Sequence, residues 1–428
     1  MIKKILIFLF LSFSIVTFGQ TLNLDTCQKR AKENYPLLKQ YGLIEKTADY
    51  NISNANKAYL PQVSLLAKAT YQSDVTAIPE TLGQVLTQLS GQPVSFPVLS
   101  KDQYQAALEV DQLVWDGGMV NAQKKLIKAS SEAEKQKLEV DLYALNDRIN
   151  NLFFGIMLIK EQLKVNQILQ QELASNYQRM EAYLKNGLIQ QADLDAVKVE
   201  QINAAQQETD LKSVLKSYCQ MLSVFTGINV NEKTELEKPL LPVVNENIEN
   251  KRPELSLFES QKNLLESQKK TILAGNLPKI GLFIQGGYGR PGFDFFKNDF
   301  TSFYIGGVRL SWNIAGFYTQ KNELKKIETG QKNVDIMKET FLFNTNLLTK
   351  QQMNEIDKLR VTLKNDEEII RLRNNIKKAT ESKFQNGTIT TTDFLREINA
   401  ENIARQTRTL HEVQLYMAVY QLKNTINN

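Results

Sequence analysis

Two similar stretches decide the fold: YLKNGLIQQADL at residues 183–194 and KFQNGTITTTDF at residues 383–394. Each contains Asn-Gly followed by an aspartate, Asp193 or Asp393. Other similar segments recur in the same order. LPQVSLLAKATY begins at Leu60 and LPKIGLFIQGGY at Leu277, and QLVWDGG in the first half resembles RLSWNIAG in the second. One repeated order of elements predicts a duplicated chain, with a first repeat at residues 20–226, a linker at 227–253 and a second repeat at 254–428.

The N-terminus has the pattern of a cleavable secretory signal. Lys3 and Lys4 precede an apolar run at residues 5–16, which ends in the short segment Thr-Phe-Gly-Gln. This run is too short for a comfortable membrane-spanning helix. We therefore predict a signal peptide at residues 1–19.

Charge and cysteine content exclude some classes of protein. The formal net charge is +5, which gives no argument for nucleic acid as a partner. Cys27 and Cys219 are too few for a disulfide framework. A single bridge between them and two buried free thiols both remain open.

Proline placement and apolar spacing predict long helices. Prolines are absent from residues 98–238 and from 292 to the last residue. Apolar residues in the first span follow steps of four and three, which is the spacing of a coiled-coil seam: Leu138, Leu142, Leu145, Ile149, Leu152, Ile156, Ile159 and Leu163. A weaker seam in the second half comprises Leu348, Ile356, Leu359, Leu363 and Ile370.

The predicted helices fall in matching positions of the two repeats. Long helices are expected at about 120–185 and 318–385, and each is followed by an Asn-Gly turn and an antiparallel return helix at 192–225 or 393–422. Shorter helices are expected to open the repeats at 25–57 and 254–274. The insert TAIPETLGQVLTQLSGQPVSFPVLS in the first repeat is predicted to be a longer loop.

In four segments the apolar residues recur at every second position instead of at helical spacing, which is typical of strands. Apolar and polar residues alternate mainly at 63–71, 104–110, 280–288 and 304–312. Their length and dyad pattern suit strands of an outer-membrane barrel. Four strands are too few to close a barrel, and an open sheet edge in lipid is costly, so the pattern predicts an oligomer, with twelve strands from three chains.

These features together resemble the TolC-like outer-membrane efflux proteins across nearly the whole mature chain. The resemblance implies a mainly α chain with a membrane β-barrel portion, in which duplicated halves form a helical tunnel and a trimeric twelve-stranded barrel. It implies a cell outer membrane location extending into the periplasm, contact with outer-membrane lipid, and no nucleic acid. The expected partners are two further copies, a periplasmic adaptor (membrane fusion) protein and an inner-membrane pump of the RND or ABC class, for efflux or type I secretion.

The resemblance also implies roles for residues at the turns. Adaptor docking is expected at two triplets, Asn186, Gly187 and Leu188, and Asn386, Gly387 and Thr388. A periplasmic gate is expected from Asp193, Asp195 and Asp393, although Arg396 stands where the best-known members have a second acidic residue. Asp193 and Asp393 also suit capping of the return helices, and the two roles are compatible.

Enzyme chemistry and cofactors have little support in the sequence. The single histidine, His411, falls in an apolar-rich helical segment, and we expect it to be packed or solvated. Gly287, Gly289 and Gly292 satisfy G-x-G-x-x-G, but Pro291 interrupts it, and we predict an extracellular turn there. We therefore expect a passive duct that is not an enzyme and holds no cofactor or metal. The alternative is a secreted coiled-coil adhesin or structural protein, which leaves the paired strands unexplained.

Overall fold

The computed structural model describes residues 21–241, 249–294 and 296–427, so the predicted signal peptide lies outside the described residues. The helices are α1 Leu24–Asn34, α2 Gln40–Asn56, α3 Glu80–Ser90, α4 Met119–Tyr143, α5 Leu145–Lys185, α6 Gln191–Thr226, α7 Pro253–Gly275, α8 Gly316–Gln385 and α9 Thr391–Ile426. The strands are β1 Gln62–Tyr71, β2 Asp102–Trp115, β3 Lys279–Arg290 and β4 Thr301–Ser311.

The chain forms two compact units. The first comprises the described residues of Met1–Gln40, Lys137–Leu255 and Glu339–Asn428, and the second comprises Tyr41–Gln136 and Ser256–Lys338. The first unit is helical, apart from a single parallel bridge between Leu22 and Leu236 of the linker. The second unit contains all four strands.

The first coiled-coil seam is confirmed in the first unit. Six of its eight apolar residues are buried, and Leu152 and Leu163 pack against the same core. A period close to 3.5 keeps such residues on one side of a helix. Ile149, Ile156 and Ile159 pack there in one core with residues of α1, α6 and α9. In the weaker second seam, Ile356 and Leu359 are buried against α9 while Leu348 is exposed.

Both cysteines lie in the main apolar core of the first unit, together with Phe153 and Phe154. They are free thiols in the structure. Burial raises the pKa of Cys27 to about 12 and also raises the pKa of Cys219. Both side chains therefore act as small apolar residues of the core.

The second unit contains one antiparallel sheet with the strand order β1-β2-β3-β4. Its register keeps the apolar residues in common rows across the strands. Leu65 pairs with Leu108, and Val110 pairs with both Val63 and Ile284. Because side chains alternate along a strand, this register gives the sheet one apolar face and one mainly polar face, as the sequence predicts.

Three local predictions are wrong. The opening helix predicted at 25–57 is interrupted after Asn34, since a proline disfavours helical backbone in the preceding residue, and Tyr35 is extended. The insert predicted as loop contains helix α3. Gly287 and Gly289 lie within strand β3 and only Gly292 lies beyond it, so this glycine motif is mainly strand.

The long helices otherwise match the prediction, except that the one expected at 120–185 is divided at residue 144 into α4 and α5. In the part of the chain that the structure describes, no helix is both long enough and apolar enough to span a membrane. The division of the chain into two sequence repeats stays a prediction.

Candidate functional site: the two helical tips

The two Asn-Gly turns adopt the same backbone geometry. Gly187 has a φ of 69° and Gly387 a φ of 68°, a left-handed conformation that glycine adopts without steric cost. The glycine N–H donates to Leu184 O in the first turn and to Phe384 O in the second, each at 3.0 Å. These bonds satisfy carbonyls left free at the end of a helix, so each long helix stops in a closed turn.

The return helices begin with the aspartates that the sequence singled out. Asp193 Oδ2 accepts from the backbone N–H of Gln190 at 3.0 Å. Asp393 accepts from the hydroxyl of Thr390 at 2.7 Å, while the Thr390 hydroxyl accepts from the Asp393 N–H at 3.1 Å. Both aspartates occupy the third position of a capping box, which satisfies N–H groups at the start of a helix. The expected capping role is therefore confirmed.

The third candidate gate residue sits differently. Asp195 is exposed and accepts from the amide of Gln191 at 2.8 Å. Arg396, which replaces the expected acidic residue, lies 3.4 Å from Asp393. Hydrogen bonds from the Thr390 side chain and backbone lower the pKa of Asp393, and the charge of Arg396 adds to this effect. Asp393 is therefore held as a carboxylate.

The six predicted docking residues all lie on the surface. Asn186, Gly187 and Leu188 are exposed in the first turn, and Asn386, Gly387 and Thr388 in the second. Leu188 leaves 68% of its surface accessible, although it is a large apolar side chain. Thr388 instead donates its hydroxyl to Lys383 O at 2.9 Å. The two turns therefore share a backbone but present different surfaces.

An apolar cluster joins the two tips, a feature that the sequence argument missed. Phe384 and Phe394 stack with ring centroids 5.1 Å apart and planes at 8°, and Tyr183 of the other tip lies 6.3 Å from Phe384. The cluster also buries Leu194 and Ile398. The aromatic at the end of the tip motif was the available signal for this packing.

Ion pairs between helices surround this cluster. Arg179 of α5 lies 2.6 Å from Glu381 of α8. Lys377 of α8 lies 2.9 Å from Glu172 of α5 and 2.7 Å from Glu401 of α9. Charged groups thus bridge three helices behind the tips.

Burial and ion pairing shift the pKa values of Glu401 and Lys377 in opposite directions. Burial alone would raise the pKa of Glu401, but hydrogen bonds from Lys377 and Arg405 lower it overall. Burial alone would lower the pKa of Lys377, but the hydrogen bonds that it donates to Glu401 and Glu172 raise it overall. The two side chains therefore stay charged and paired at neutral pH.

The single histidine and the placement of the acidic side chains give no sign of a catalytic or metal site among the described residues. His411 Nδ1 lies 2.6 Å from the carboxylate of buried Asp366, which fits a packed histidine. Among the described residues, no group of three or more His, Cys, Asp or Glu side chains is arranged to hold a metal ion.

Solved structures share this architecture. The Campylobacter jejuni CmeC outer membrane channel has a TM-score of 0.63 at 12% identity, covering 94% of this chain and 85% of that one. The outer membrane protein VceC of Vibrio cholerae has a TM-score of 0.64 at 13% identity, covering 94% of each chain. The fold is that of the TolC-like outer-membrane channels.

A third structure extends this result. The open state of the Neisseria gonorrhoeae MtrE outer membrane channel has a TM-score of 0.65 at 12% identity, covering 95% of this chain and 89% of that one. Two of these three neighbours, CmeC and MtrE, are outer membrane channels, and VceC is an outer membrane protein. No protein-family model and no curated protein sequence matches the chain. The TolC-like fold is thus established by structure, at a sequence identity too low to transfer function residue by residue.

Proposed function

We propose that the chain is one subunit of a trimeric outer-membrane channel, the passive exit duct of a tripartite efflux or type I secretion system. The observation that carries this proposal is the open sheet, which has an apolar exposed face and two unpaired edges. The TolC-like fold supports the same conclusion.

The sheet edges are the argument for three copies. Strands β1 and β4 each pair on one side only, which leaves the N–H and C=O groups of their outer edges unpaired. Each unpaired group in lipid costs several kcal/mol, so a spanning sheet has to close. Since each chain has an even number of alternating strands, β4 of one copy can pair antiparallel with β1 of the next. Three copies then close a twelve-stranded barrel.

The apolar face supports contact with outer-membrane lipid. Its central part carries large exposed aliphatic side chains: Val63, Leu65, Leu108, Leu282, Ile284, Val308 and Leu310. Aromatic residues flank them, with Tyr71, Tyr104, Tyr288 and Tyr304 toward the hairpin loops and Trp115 and Trp312 toward the helices. An apolar band between two aromatic rows is typical of outer-membrane barrels.

The opposite face suits a water-filled lumen. Arg309 of β4 reaches across β3 to Asp111 at 2.8 Å and Glu109 at 3.0 Å on β2. Its guanidinium also lies 4.7 Å from the ring centre of Phe283. Charged groups of this kind are stable facing water inside a barrel and are costly facing lipid.

We propose the tips as the docking surface for a periplasmic adaptor. Their exposure supports this role, and Leu188 offers an apolar contact that an isolated surface does not need. Asn186 and Gly187, with Asn386, Gly387 and Thr388, would complete the surface. An inner-membrane pump of the RND or ABC class would supply the energy.

We also propose Asp193, Asp195 and Asp393 as carboxylates of a periplasmic gate. Their position next to the turns supports this, as does the lowered pKa of Asp393, which keeps it negatively charged. The ion pair with Arg396 reduces the net charge that Asp393 presents. Among the described residues, no basic side chain lies within ion-pair distance of Asp193 or Asp195, so these two would contribute more charge to such a ring than Asp393.

A photo-crosslinker at Leu188 or Thr388 in native cells tests this function. We expect capture of a periplasmic adaptor, while Val224, an equally exposed residue farther along α6, serves as the control position. A proton-driven pump in the captured complex would indicate efflux, and an ATP-driven exporter would indicate secretion or ATP-driven efflux. Native mass spectrometry of the extracted protein has to show a trimer. A monomer that captures nothing would contradict the proposal and favour a secreted coiled-coil protein.

A further inference from the structure

The loop between β1 and β2 lacks charge over a long stretch. Residues 81–100 contain no Asp, Glu, Lys, Arg or His, although charged residues make up 23% of the chain. The loop between β3 and β4 leaves the same end of the sheet and carries Asp294, Lys297 and Asp299. The absence of charge is therefore specific to the first loop.

Helix α3 in this loop has an uncovered apolar stripe. Leu82, Val85 and Leu89 are exposed, and their spacing of three and four places them on one side of the helix. The far side of α3 is already occupied through Gly83 and Thr87. The Thr87 hydroxyl donates to Gly83 O at 2.8 Å and accepts from the Val94 N–H at 2.9 Å.

Close packing at Gly83 fixes the helix further. This glycine is buried, and a Cβ there would lie 3.2 Å from the carbonyl oxygen of Val94. The bond from the Val94 N–H to Thr87 and this contact at Gly83 tie one side of α3 to its own loop. They leave the stripe of Leu82, Val85 and Leu89 facing away from that contact.

We propose that the α3 helices of three copies pack against one another over the outer mouth of the barrel, through Leu82, Val85 and Leu89. This inference rests on the trimer of the proposed function. Twelve strands spaced 4.8 Å apart and tilted by about 40° close at a radius of about 12 Å. Helix α3 has eleven residues and is about 16 Å long at 1.5 Å per residue, enough to reach from the rim to the axis.

The absence of charge favours a second copy as the occupant. Membrane surfaces with anionic headgroups attract Lys and Arg, and residues 81–100 contain neither. A charged protein partner would require complementary charges, which are also absent. Identical copies meeting at a three-fold axis bring like charges together, so an apolar, uncharged surface suits this contact.

Disulfide trapping tests the contact in native outer membranes. Under mild oxidation, Leu89→Cys should form linked dimers severalfold more than Gln84→Cys, whose side chain is exposed on the opposite side of α3. The unsubstituted chain gives the background, since Cys27 and Cys219 are buried. Equal linking of the two variants would overturn the α3 contact.

Two further measurements distinguish a failure of the α3 contact from a failure of the proposed trimer. Native mass spectrometry of both variants has to show a trimer. A trimer without linking at residue 89 overturns only the α3 contact, whereas a monomer overturns the proposed function itself. In planar bilayers, oxidation should reduce the conductance of Leu89→Cys and leave Gln84→Cys unchanged, and a reductant should reverse the effect. An unchanged conductance in linked Leu89→Cys would show that the helices meet away from the mouth.

Discussion

Lys377 Nζ lies 2.7 Å from Glu401 Oε2, and this pair joins α8 to α9 behind the second tip. The Glu401 residue is 3% exposed and also accepts from Arg405 Nε at 2.6 Å. A carboxylate buried among cations stabilises the folded state only while it is ionised. The stability of the tips should therefore depend on pH.

The direction of this dependence follows from the pKa shifts. The pKa of Glu401 is lowered from 4.5, so its contribution is complete above that value and is lost as the pH falls through the folded pKa. The pKa of Lys377 is raised from 10.5, so its contribution is complete below that value and is lost at higher pH. We expect thermal stability to change little between these limits and to fall in acid.

Replacement of the carboxylate tests the pair. Glu401→Gln removes the buried charge that Lys377 and Arg405 share, although Lys377 keeps Glu172 as a partner, and we expect a loss of about 2–3 kcal/mol at pH 7. The acid limb of the stability profile should also flatten. Glu368→Gln, which removes an exposed pair with Arg371, is the control and should leave the melting temperature unchanged. Equal effects of the two variants would show that burial of Glu401 is unimportant.

Asp393 allows the capping and gating roles to be separated. Asp393→Asn keeps an oxygen that can accept from Thr390 but removes the charge, whereas Asp393→Ala removes both. If the charge gates the channel, both variants should raise conductance and weaken block by divalent cations in planar bilayers. If Asp393 only caps α9, Asn should behave like the native residue. Hydrogen exchange in the first turn of α9 should increase only in the Ala variant.

The tip glycines should affect stability through their backbone alone. A Cβ at Gly187 or Gly387 meets no atom within 4 Å, so Gly→Ala introduces only the cost of a positive φ, about 1 kcal/mol. Gly42 lies in helix α2 with equal space around it, and Gly42→Ala should stabilise the chain by about 0.5–1 kcal/mol. Chemical denaturation of the three variants measures the free energy of unfolding, which should fall for the two tip variants and rise for Gly42→Ala. A neutral Gly387→Ala would mean that the turn adopts another conformation in solution.

Local patterns in the sequence predicted the parts of the fold that depend on neighbouring residues. The Asn-Gly turns require a residue tolerant of positive φ, and the alternation in the strands determines which side chains share a face. The break in the opening helix and the presence of helix α3 also depend on neighbouring residues, namely Pro36 and the apolar spacing of α3. Pro36 disfavours helical backbone at Tyr35, and Leu82, Val85 and Leu89 have the spacing of one helix face although turn-forming residues surround them.

Packing between distant segments was beyond this kind of argument. Phe384 and Phe394 stack because two helices meet at one turn, and Tyr183 joins them from the other half of the chain. Neither the spacing nor the composition of either tip specifies that approach. The same holds for Lys377, whose partners Glu172 and Glu401 lie on two different helices. One sequence does not reveal which of many surface charges become buried together.

The apolar face of the sheet gives the sharpest test of membrane insertion. Leu65 and Ser64 are adjacent in β1 and both are exposed in the single chain, but they point to opposite faces. Leu65→Lys places a charge on the face proposed to contact lipid, at a cost of about 2–4 kcal/mol near the bilayer midplane. Ser64→Lys places the same charge on the polar face, where the paired residue is Glu109. We expect the yield of trimer in outer-membrane fractions to fall for Leu65→Lys and to persist for Ser64→Lys. Equal yields would mean that neither face contacts lipid, because a sheet surrounded by water tolerates a lysine on either side.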